Sequence, residues 1–484
     1  MLSGLPINIP RYDRVKLKNL KEDIQRLKIK KASGDLITNI RLRSLPDEAI
    51  SCLATLFNAC FDLSYFPDCW KLGKVVAIAK PGKDSHLPTS YRPITLLPSI
   101  GKLFEKTILH RLQIFEEDEK IFVNQQFGFR AKHSTVHQTI RITETISKRF
   151  NQNMSTALVL LDLEKAFDGV WHDALIHKMM LNKYPTHWVK MIQSFISERT
   201  SRVVVGKTSS LPFSIPAGVP QGSPLSPHLF NIFINDLPTP KNCKKAMFAD
   251  DSAILSSVKN FDFPKLQKRV EKGLEVYDNF FTSWKAKVHP SKTEPILFTK
   301  STKMRRLRND FKIKFRGEEL EWKEVVRYLG SYLDSKLTHK FHIDQVINKA
   351  NKAVSILYCF LKRYNRIRAK TKAFMYKTYI RPIATYACPV FANCAITHRK
   401  KLQIFQNKKL RMCLNAPYFS KISWLHEKAE TPTIDVFTTA ITERFYEKCE
   451  RVGNPLINNL GKYAHDLQSK RQKHKMPRAL AQPN

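Results

Sequence analysis

Acidic residues are scarce in this sequence of 484 residues. Asp and Glu together number 42 against 82 Lys and Arg, which leaves a formal net charge of +40. A field of this size favours a polyanionic partner, and nucleic acid is the commonest one for such a chain. A ribosome-like protein or a membrane-surface binder would carry the same charge. The hydrophobic fraction of 43% argues against general disorder.

Paired cysteine motifs and long apolar runs are missing as well. The nine cysteines are odd in number and scattered, with no C-x-x-C, so we expect reduced thiols in place of a disulfide framework or a zinc finger. No apolar run approaches the ~20 residues that span a bilayer, and the first residues contain no apolar segment long enough for a signal peptide. The sequence therefore predicts a soluble, intracellular protein with no membrane partner.

Hydrophobic periodicity predicts both helices and strands, without regular β-α-β alternation. Helical or amphipathic spacing is found over residues 15–35, 47–67, 94–115, 164–180, 227–237 and 274–288. Apolar runs predict strands over residues 75–79, 155–163, 201–206, 295–299 and 325–334. The last third, from about Lys340, is helical and basic. This mixture predicts an α+β fold with a helical C-terminal domain.

Two adjacent carboxylates, Asp250 and Asp251, stand between the short apolar runs AMF and SAIL. These runs predict the strands of a β-hairpin, and a hairpin tip can present consecutive side chains together. Asp162 ends the buried run ALVLL, so a strand would deliver a third carboxylate to the edge of the same sheet. Neighbouring carboxylates repel each other, and apolar surroundings make their ionisation costlier still.

Three carboxylates with open coordination positions predict a magnesium site. Mg²⁺ prefers hard oxygen ligands and uses a few carboxylates together with substrate phosphates. Two such ions about 3.5–4 Å apart can activate an attacking hydroxyl and stabilise a departing pyrophosphate. The alternative for any Asp-Asp pair is an exposed acidic turn, and the surrounding motifs decide between the two.

An ordered series of motifs resembles the reverse transcriptases of non-LTR retrotransposons, in the style of the jockey-like elements of animals. The resemblance covers roughly residues 31–337 and is weaker in RPIATYACPVFANCA and LQIFQNKKLR. FADD alone is a weak signal, but its order among the other motifs is specific. The motifs are VVAIAKPGKD, SYRPITLLPSIGKLFEKTI, NQQFGFRAKHSTVHQ, LVLLDLEKAFDGVWHDAL, AGVPQGSPLSPHLFNIFINDLP, FADD, WKAKVHPSKTEPILFT and VVRYLGSYLDSKL.

The resemblance implies a right-hand polymerase with an antiparallel-sheet palm, fingers and a helical thumb. We expect a helical N-terminal extension over residues 1–70, fingers over 71–153, a palm over 154–334, and a helical thumb with a basic C-terminal region over 335–484. The implied activity is that of an RNA-directed DNA polymerase. Its implied partners are an RNA template, a DNA primer or nicked target DNA, and dNTPs, in the nucleus during integration and otherwise in the cytoplasm.

The same resemblance implies roles for single residues. Asp162 and Asp250 would ligate both of two Mg²⁺ ions, for which Mn²⁺ could substitute, and Asp251 would support one of them. Phe167, in the AFD of the first palm motif, would stack under the sugar and exclude a 2′-hydroxyl; a core phenylalanine on a helix face is the alternative.

Further residues are implied to meet the incoming nucleotide. Gln221 and Gly222 belong to the PQG loop beside the incoming base pair, where a glycine lets backbone come close to the nucleotide; a simple turn before a helix is the alternative. Arg92 in YRPI would meet the triphosphate, with Lys80 as a companion. Lys292 in PSKT would protonate the leaving pyrophosphate. A solvated lysine is the alternative at both lysine positions.

Other motifs have structural alternatives. YLG at 328–330 resembles the primer-grip hairpin. His133 and His137 in HSTVH, like His172 and His177, lack the partners that would complete a zinc signature, so a structural or RNA-contacting role is expected for the HST motif. The basic segment SKRQKHK near the C-terminus either contacts nucleic acid or is a solvated run.

Three departures from the family pattern stand out. KASGDLIT lacks the usual glycine-aspartate-glycine spacing, and His289 stands where relatives commonly carry Asn. No endonuclease precedes the polymerase motifs, so we expect a shortened copy of an element. The rival hypothesis is a catalytically inactive remnant that only binds nucleic acid. A telomerase-like or maturase-like polymerase is a third, which QFGFR and YLG argue against.

Overall fold

The computed structural model describes residues 14–80, 82, 84–259 and 262–462, so the basic segment SKRQKHK lies outside the described residues. The strands, in chain order, are β1 (Gly73–Ala79), β2 (Tyr91–Leu96), β3 (Ser155–Leu161), β4 (Thr200–Val205), β5 (Thr208–Ser209), β6 (Phe213–Ser214), β7 (Cys243–Phe248), β8 (Asp251–Val258), β9 (Glu294–Phe298), β10 (Ile313–Phe315), β11 (Glu318–Leu320), β12 (Val325–Tyr328) and β13 (Ser331–Asp334).

The α-helices are α1 (Leu17–Gln25), α2 (Asn39–Arg43), α3 (Asp47–Asp62), α4 (Ser99–Asp118), α5 (Thr135–Asn151), α6 (His172–Leu181), α7 (Thr186–Ile196), α8 (Ser226–Ile234), α9 (Phe263–Ser283), α10 (Thr302–Asp310), α11 (Lys340–Ile356), α12 (Tyr358–Leu361), α13 (Ala369–Met375), α14 (Arg381–Ala384), α15 (Ile396–Cys413), α16 (Ile422–Lys428), α17 (Ile434–Glu450) and α18 (Pro455–Asn458). Short 3₁₀ turns occur at Asp68–Trp70, Pro88–Ser90 and Pro290–Lys292, and a π-helical turn at Tyr376–Ile380. Within the described residues, no helix has the length and apolar character to cross a membrane.

The chain divides into two compact units, each built from separate segments. The first unit takes its residues from Met1–Phe129, Leu163–Pro238 and Tyr277–Val288. The second takes its residues from Arg130–Asp162, Thr239–Val276 and His289–Asn484. Mixed helices and sheets in both units agree with the predicted α+β character.

The first unit contains a five-stranded sheet in the order β2-β1-β4-β5, with β6 paired to β4. β1 and β4 run parallel, whereas β1 and β2 are antiparallel. Its core is rich in aromatic rings, because α3, the following turn and α4 each present phenylalanine or tryptophan inward. Phe57, Phe61, Phe66 and Trp70 all pack their rings against Phe104 of α4.

The second unit contains a four-stranded antiparallel sheet in the order β7-β8-β3-β9. All seven residues of β3 are buried, as expected of a central strand. α5 covers the sheet with Ile142, Ile146 and Phe150, which join a core that includes Leu158 of β3. Its first turn is capped by Ser134, whose hydroxyl accepts the His137 N–H at 3.2 Å. A separate core, with Tyr376, Ile380, Leu402 and Leu410 among its members, joins helices of the C-terminal region.

Several predicted elements differ from those observed. Residues 94–96 continue strand β2, so helical spacing begins only at Ser99. Residues 164–171 form turns, and α6 begins at His172 instead of near Glu164. Residues 325–334 form two strands, β12 and β13, because Leu329 and Gly330 both have positive φ (46° and 83°) and make a two-residue hairpin turn.

Candidate functional site

Asp250 and Asp251 lie at the tip of the predicted hairpin. β7 and β8 pair antiparallel, and Phe248 opposite Asp251 is their last pair, which leaves Ala249 and Asp250 as a two-residue turn. Ala249 is buried and has a positive φ of 54°. A left-handed alanine costs roughly 1 kcal/mol, so surrounding structure must hold this tip in place.

Strand register brings Asp162 to the same edge. Leu161, the last residue of β3, pairs with Ser252 of β8. Because the strands are antiparallel, the next residue of β3 and the preceding residue of β8, Asp162 and Asp251, face each other across the end of the ladder. The sequence prediction that a buried strand would deliver Asp162 to the hairpin is therefore confirmed for the backbone.

Both aspartates of the hairpin tip have a raised pKa, for which burial is the main cause and repulsion between carboxylates a smaller one. Burial raises the pKa of Asp250, and the neighbouring Asp162 carboxylate raises it further. Burial, followed by repulsion from Asp250 and Asp162, raises the pKa of Asp251 to about 6. The Asp251 side chain is nevertheless exposed to solvent, so water screens part of this repulsion. A bound cation would reverse the repulsive part of both shifts.

Lys292 already neutralises one member of the group. Its Nζ lies 3.0 Å from Oδ2 of Asp162. The 3₁₀ turn that carries Lys292 is tied to the end of β3, because the His289 N–H donates to the Asp162 carbonyl at 2.9 Å. That hydrogen bond uses only backbone atoms, so a histidine in place of asparagine leaves it unchanged. Both side chains of the ion pair are about half exposed (59% and 46%), so the pair contributes at most ~1 kcal/mol and can separate.

The residues at this edge fit a magnesium site in chemistry but are not gathered as one. Their donors are carboxylate oxygens, the ligand type that Mg²⁺ selects. Within the described part of the chain, no three His, Cys, Asp or Glu side chains are positioned together to hold a metal ion. The Asp162 carboxylate is paired with the Lys292 ammonium group, and it would have to leave that partner before it could bind a metal ion.

The YLG hairpin belongs to the same unit as the carboxylates. Tyr328 of β12 is buried, and burial is the main cause that raises its pKa. The Tyr386 hydroxyl donates to the Leu329 carbonyl at 2.9 Å, and a Cβ on Gly330 would lie 3.0 Å from that hydroxyl oxygen and 3.2 Å from the ring. This turn is therefore fixed by a tyrosine of the helical region.

The HST motif contacts the C-terminal helices of its unit. His133 Nε2 lies 3.0 Å from the Asn454 side-chain nitrogen, and the His137 ring packs 4.9 Å from the Phe445 ring. Burial lowers the pKa of both histidines, that of His137 to about 4. These contacts give the motif the structural role that was one of its two expected roles.

In the first unit, Arg92 and Lys80 lie on one face of the β1–β2 hairpin. Arg92 pairs with Ile78, and opposite residues of an antiparallel pair share a face. Lys80 is two residues beyond Ile78, and its N–H donates to the Ser90 carbonyl at 2.8 Å, which extends the ladder. The two cationic side chains therefore share a face, and Arg92 is exposed.

The PQG loop of the same unit packs closely against β2. Gly222 has a φ of 124°, and a Cβ there would lie 2.4 Å from the Thr95 carbonyl oxygen. The Thr95 N–H in turn donates to the Gln221 carbonyl at 2.8 Å. Close packing against Thr95 is therefore enough to require a glycine at position 222. The approach of the Gly222 backbone to a nucleotide stays a prediction.

Phe167 and Asp168 are joined to this loop. The Val219 N–H donates to the Phe167 carbonyl, and the Gln221 side-chain amide donates to Asp168 Oδ1 at 2.9 Å. The half-buried Phe167 ring lies 5.0 Å from the Phe230 ring of α8. Phe167 lies in a turn before α6 and is not part of a helix, so it is not a phenylalanine on a helix face.

A buried acid beneath the loop escaped the sequence analysis. Glu105 of α4 is fully buried and accepts a hydrogen bond from the Ser223 hydroxyl. Burial raises its pKa to about 7, against smaller opposing effects of Ser223 and Arg199. In sequence Glu105 is one charge in an amphipathic helix, SIGKLFEKTILH, and only its position opposite the PQGS segment distinguishes it.

The departure in KASGDLIT is accommodated in the first unit. Gly34 donates its N–H to the Leu97 carbonyl at 3.0 Å, and a Cβ there would meet the Leu96 carbonyl oxygen at 2.4 Å. The segment is therefore packed against the end of β2 in spite of its unusual spacing.

Residues 78–333, more than half of the chain, match the family described as "Reverse transcriptase (RNA-dependent DNA polymerase)". "Probable RNA-directed DNA polymerase from transposon BS" of Drosophila melanogaster is 31% identical over 459 residues, which cover 92% of this chain and 50% of that protein. "RNA-directed DNA polymerase from mobile element jockey" of the same organism is 30% identical over 92% of this chain and 49% of its own length. The chain spans about half the length of these curated relatives.

One solved structure, "Structure of apo telomerase from Candida Tropicalis truncated from C-terminal domain", aligns with 63% of this chain and 62% of its own at 12% identity. Its TM-score is 0.37, a likeness too low to bear on the fold.

Proposed function

The chain belongs to the reverse transcriptase (RNA-dependent DNA polymerase) family, and on this premise we propose that it extends a primer 3′-hydroxyl on an RNA template. Its substrates would be dNTPs, and its primer a DNA strand or a nicked target DNA. The observation that carries the proposal is the register of β3 and β8, which sets Asp162 opposite Asp251 beside Asp250. Mutual repulsion of these carboxylates supports a cation-dependent reaction.

In this proposal the four-stranded sheet is the palm, the β1–β2 hairpin belongs to the fingers, and helices from α11 onward form the thumb. Two Mg²⁺ ions would bind in all: Asp162 and Asp250 would both ligate each of the two ions, and Asp251 would ligate one of them. When bound, two such ions supply charge stabilisation at the attacking and leaving oxygens. The carboxylates of the hairpin tip would hold those ions at the end of the sheet, because strand pairing sets their backbone positions.

Lys292 would change partners during the reaction. Its ion pair with Asp162 is exposed and weak enough to separate. Once Asp162 takes up a cation, the ammonium group is released and can carry a proton to the departing pyrophosphate. The observation that supports this role for Lys292 is its contact with Asp162, a candidate metal ligand.

Residues of the first unit would bind the nucleotide. Arg92 and Lys80 share a face on which guanidinium and ammonium groups can meet a triphosphate. Gln221, held by Asp168, and Gly222 would border the base pair. The Phe167 ring, supported by Phe230, would lie under the sugar, where a 2′-hydroxyl has no room.

Primer extension on an RNA template with Mg²⁺ tests the proposal. We expect incorporation by the wild-type protein and a loss of roughly a thousandfold in Asp250→Asn, because charge stabilisation at the reacting phosphate depends on that ligand. Asp47→Asn is the matched control, since Asp47 is an exposed partner of Lys21. Equal incorporation by wild type and Asp250→Asn would refute the assigned site. RNA binding without incorporation by either would instead identify the inactive, nucleic-acid-binding alternative.

A further inference from the structure

The three most exposed aromatic side chains among the described residues occur together. Tyr418 is 84% exposed, Tyr364 82% and Phe419 74%. They lie on two loops of the second unit, residues 362–368 between α12 and α13 and residues 414–421 between α15 and α16, which we call the paired loops. Large aromatic surface left in water is costly, so a concentration of it at one place indicates a partner.

Hydrogen bonds join the paired loops into one surface. Arg363 donates from Nη2 to the Ala416 carbonyl at 2.8 Å, and the Tyr364 N–H donates to Asn415 Oδ1 at 3.2 Å. The buried Lys372 donates to the Lys362 carbonyl at 2.8 Å and to Asn415 Oδ1 at 3.3 Å. One asparagine thus binds both the first loop and the lysine beneath it, so the aromatic rings are presented from a fixed backbone.

The charge around these rings has one sign. Residues 345–426 contain 17 Lys and Arg and no Asp or Glu. Three of these cations are paired with acids outside the segment: Lys370 with Glu430, Lys401 with Asp344 and Arg399 with Asp435. The paired loops themselves carry exposed Lys362, Arg363, Arg366, Arg368 and Lys421. The surface is therefore both aromatic and strongly cationic.

Such a combination fits a single strand of nucleic acid better than a duplex. Unpaired bases stack on aromatic rings, whereas the bases of a duplex are already stacked on one another. The Tyr418 and Phe419 rings meet edge to face, 5.4 Å apart, so they are not stacked on each other. Lysine and arginine side chains alongside can neutralise the backbone phosphates.

We propose that the paired loops bind an unpaired nucleic-acid strand, with bases stacked on Tyr364, Tyr418 and Phe419 and phosphates on the neighbouring lysines and arginines. This site adds a second nucleic-acid contact to the proposed polymerase and involves none of the residues assigned to its chemistry. It would hold the strand against dissociation while the reacting end is processed.

The test measures binding by fluorescence anisotropy, with the full chain carrying Asp250→Asn and without metal or dNTPs. The probes are an RNA oligonucleotide, a DNA oligonucleotide of the same sequence, and their duplex, together with phosphatidylserine vesicles. We expect Tyr418→Ser with Phe419→Ser to weaken single-strand binding roughly tenfold, while the slope of log affinity against log salt stays unchanged. Tyr418→Trp, which keeps a stacking surface, should retain wild-type affinity.

Two matched controls separate stacking from charge. Tyr379→Ser removes another exposed tyrosine of the same basic segment, 59% exposed but outside the paired loops, and should change affinity by about twofold at most. Lys362→Gln with Arg366→Gln should reduce the salt slope by about 1.4. Tighter binding of the RNA probe would assign the strand to a template, and tighter binding of the DNA probe to the target.

Three results would overturn the inference: unchanged affinity in the Tyr418 and Phe419 double variant, an equal loss in Tyr379→Ser, or binding to duplex or vesicles in preference to single strands. The binding test uses a protein that already lacks a candidate metal ligand, so it does not depend on polymerase activity. If the proposed polymerase activity fails, single-strand binding can still be measured. If single-strand binding fails, primer extension can still be measured.

Discussion

The carboxylate tip of β7–β8 and the PQG loop carry predicted site residues in opposite physical conditions. In the loop, polar groups satisfy one another: the Gln221 side-chain amide donates to Asp168, and the Thr95 N–H donates to the Gln221 carbonyl. At the tip, burial and then repulsion from Asp250 and Asp162 raise the pKa of Asp251. In the proposed function a bound cation would relieve the repulsion at the tip, whereas the polar groups of the loop already have partners within the protein.

Gly222→Ala should break the loop side of this comparison most severely. The new Cβ would lie 2.4 Å from the Thr95 carbonyl oxygen at a φ of 124°, so both strain and steric conflict arise. We expect the free energy of unfolding to fall by roughly 3 kcal/mol or more, measured by chemical denaturation. Gly206→Ala is the control: its φ of 60° is also positive but nothing lies within 4 Å, so a loss of only about 1 kcal/mol is expected. Equal losses would show that packing against β2 is unimportant.

Phe167→Ala should change the choice of sugar. The half-buried ring is held 5.0 Å from Phe230, and its removal would open room for a 2′-hydroxyl. We expect discrimination against ribonucleotides, measured as the ratio of kcat/KM for dNTP and NTP, to fall by roughly tenfold or more, or about 1.4 kcal/mol. A loss of kcat/KM for both nucleotides with an unchanged ratio would assign Phe167 to packing alone.

Asp251→Asn should stabilise the metal-free protein above neutral pH. The folded-state pKa of Asp251 is raised from 3.8 to about 6, so the folded protein binds a proton that the unfolded chain has already released. Stability without metal should therefore fall as pH rises from about 4 to about 6 and stay low above that range. The asparagine variant should lack this part of the profile, and Mg²⁺ should flatten it in wild type. A profile that rises over this interval would have the opposite sign and contradict the repulsion.

Lys292→Gln should give the smallest effect. Its ion pair with Asp162 is half exposed, so thermal stability should change by less than about 1 kcal/mol. Removal of the competing ammonium group should strengthen Mg²⁺ binding a few-fold, because two charges about 4 Å apart in water interact by about 1 kcal/mol. Weaker metal binding in this variant, measured by calorimetric titration, would show that Lys292 does not compete for Asp162.

The elements with regular apolar patterns were predictable from sequence, and those decided by long-range contacts were not. The β7–β8 hairpin and buried β3 follow from local alternation and apolar runs. Residues 94–96 were predicted as helix because their apolar spacing is compatible with either a helix or a strand. In the structure they pair with β1 and therefore form a strand. α6 begins late because the Gly218 and Val219 N–H groups take the carbonyls of Val170 and Phe167, which a local pattern cannot reveal.

The same division applies to the candidate site. The three aspartates were predicted from motif and strand position, since carboxylates at strand ends can be read from the sequence, and their role as metal ligands stays a prediction. The contact of Lys292 with Asp162 depends on a backbone hydrogen bond from His289, and the raised pKa of Glu105 depends on its burial opposite Ser223. Both require partners more than a hundred residues away, which no periodicity records.

The contrast between the hairpin tip and the PQG loop is tested most directly by Mn²⁺ binding, which is measured through the relaxation rate of water protons. The comparison is between wild type, Asp250→Asn and Asp168→Asn; Asp168 is a carboxylate beside the PQG loop that already accepts a hydrogen bond from Gln221. We predict that wild type and Asp168→Asn bind the ion alike, and that Asp250→Asn loses at least roughly tenfold in affinity, or about 1.4 kcal/mol. Equal affinity in all three proteins would contradict the assignment of the hairpin tip as the metal site.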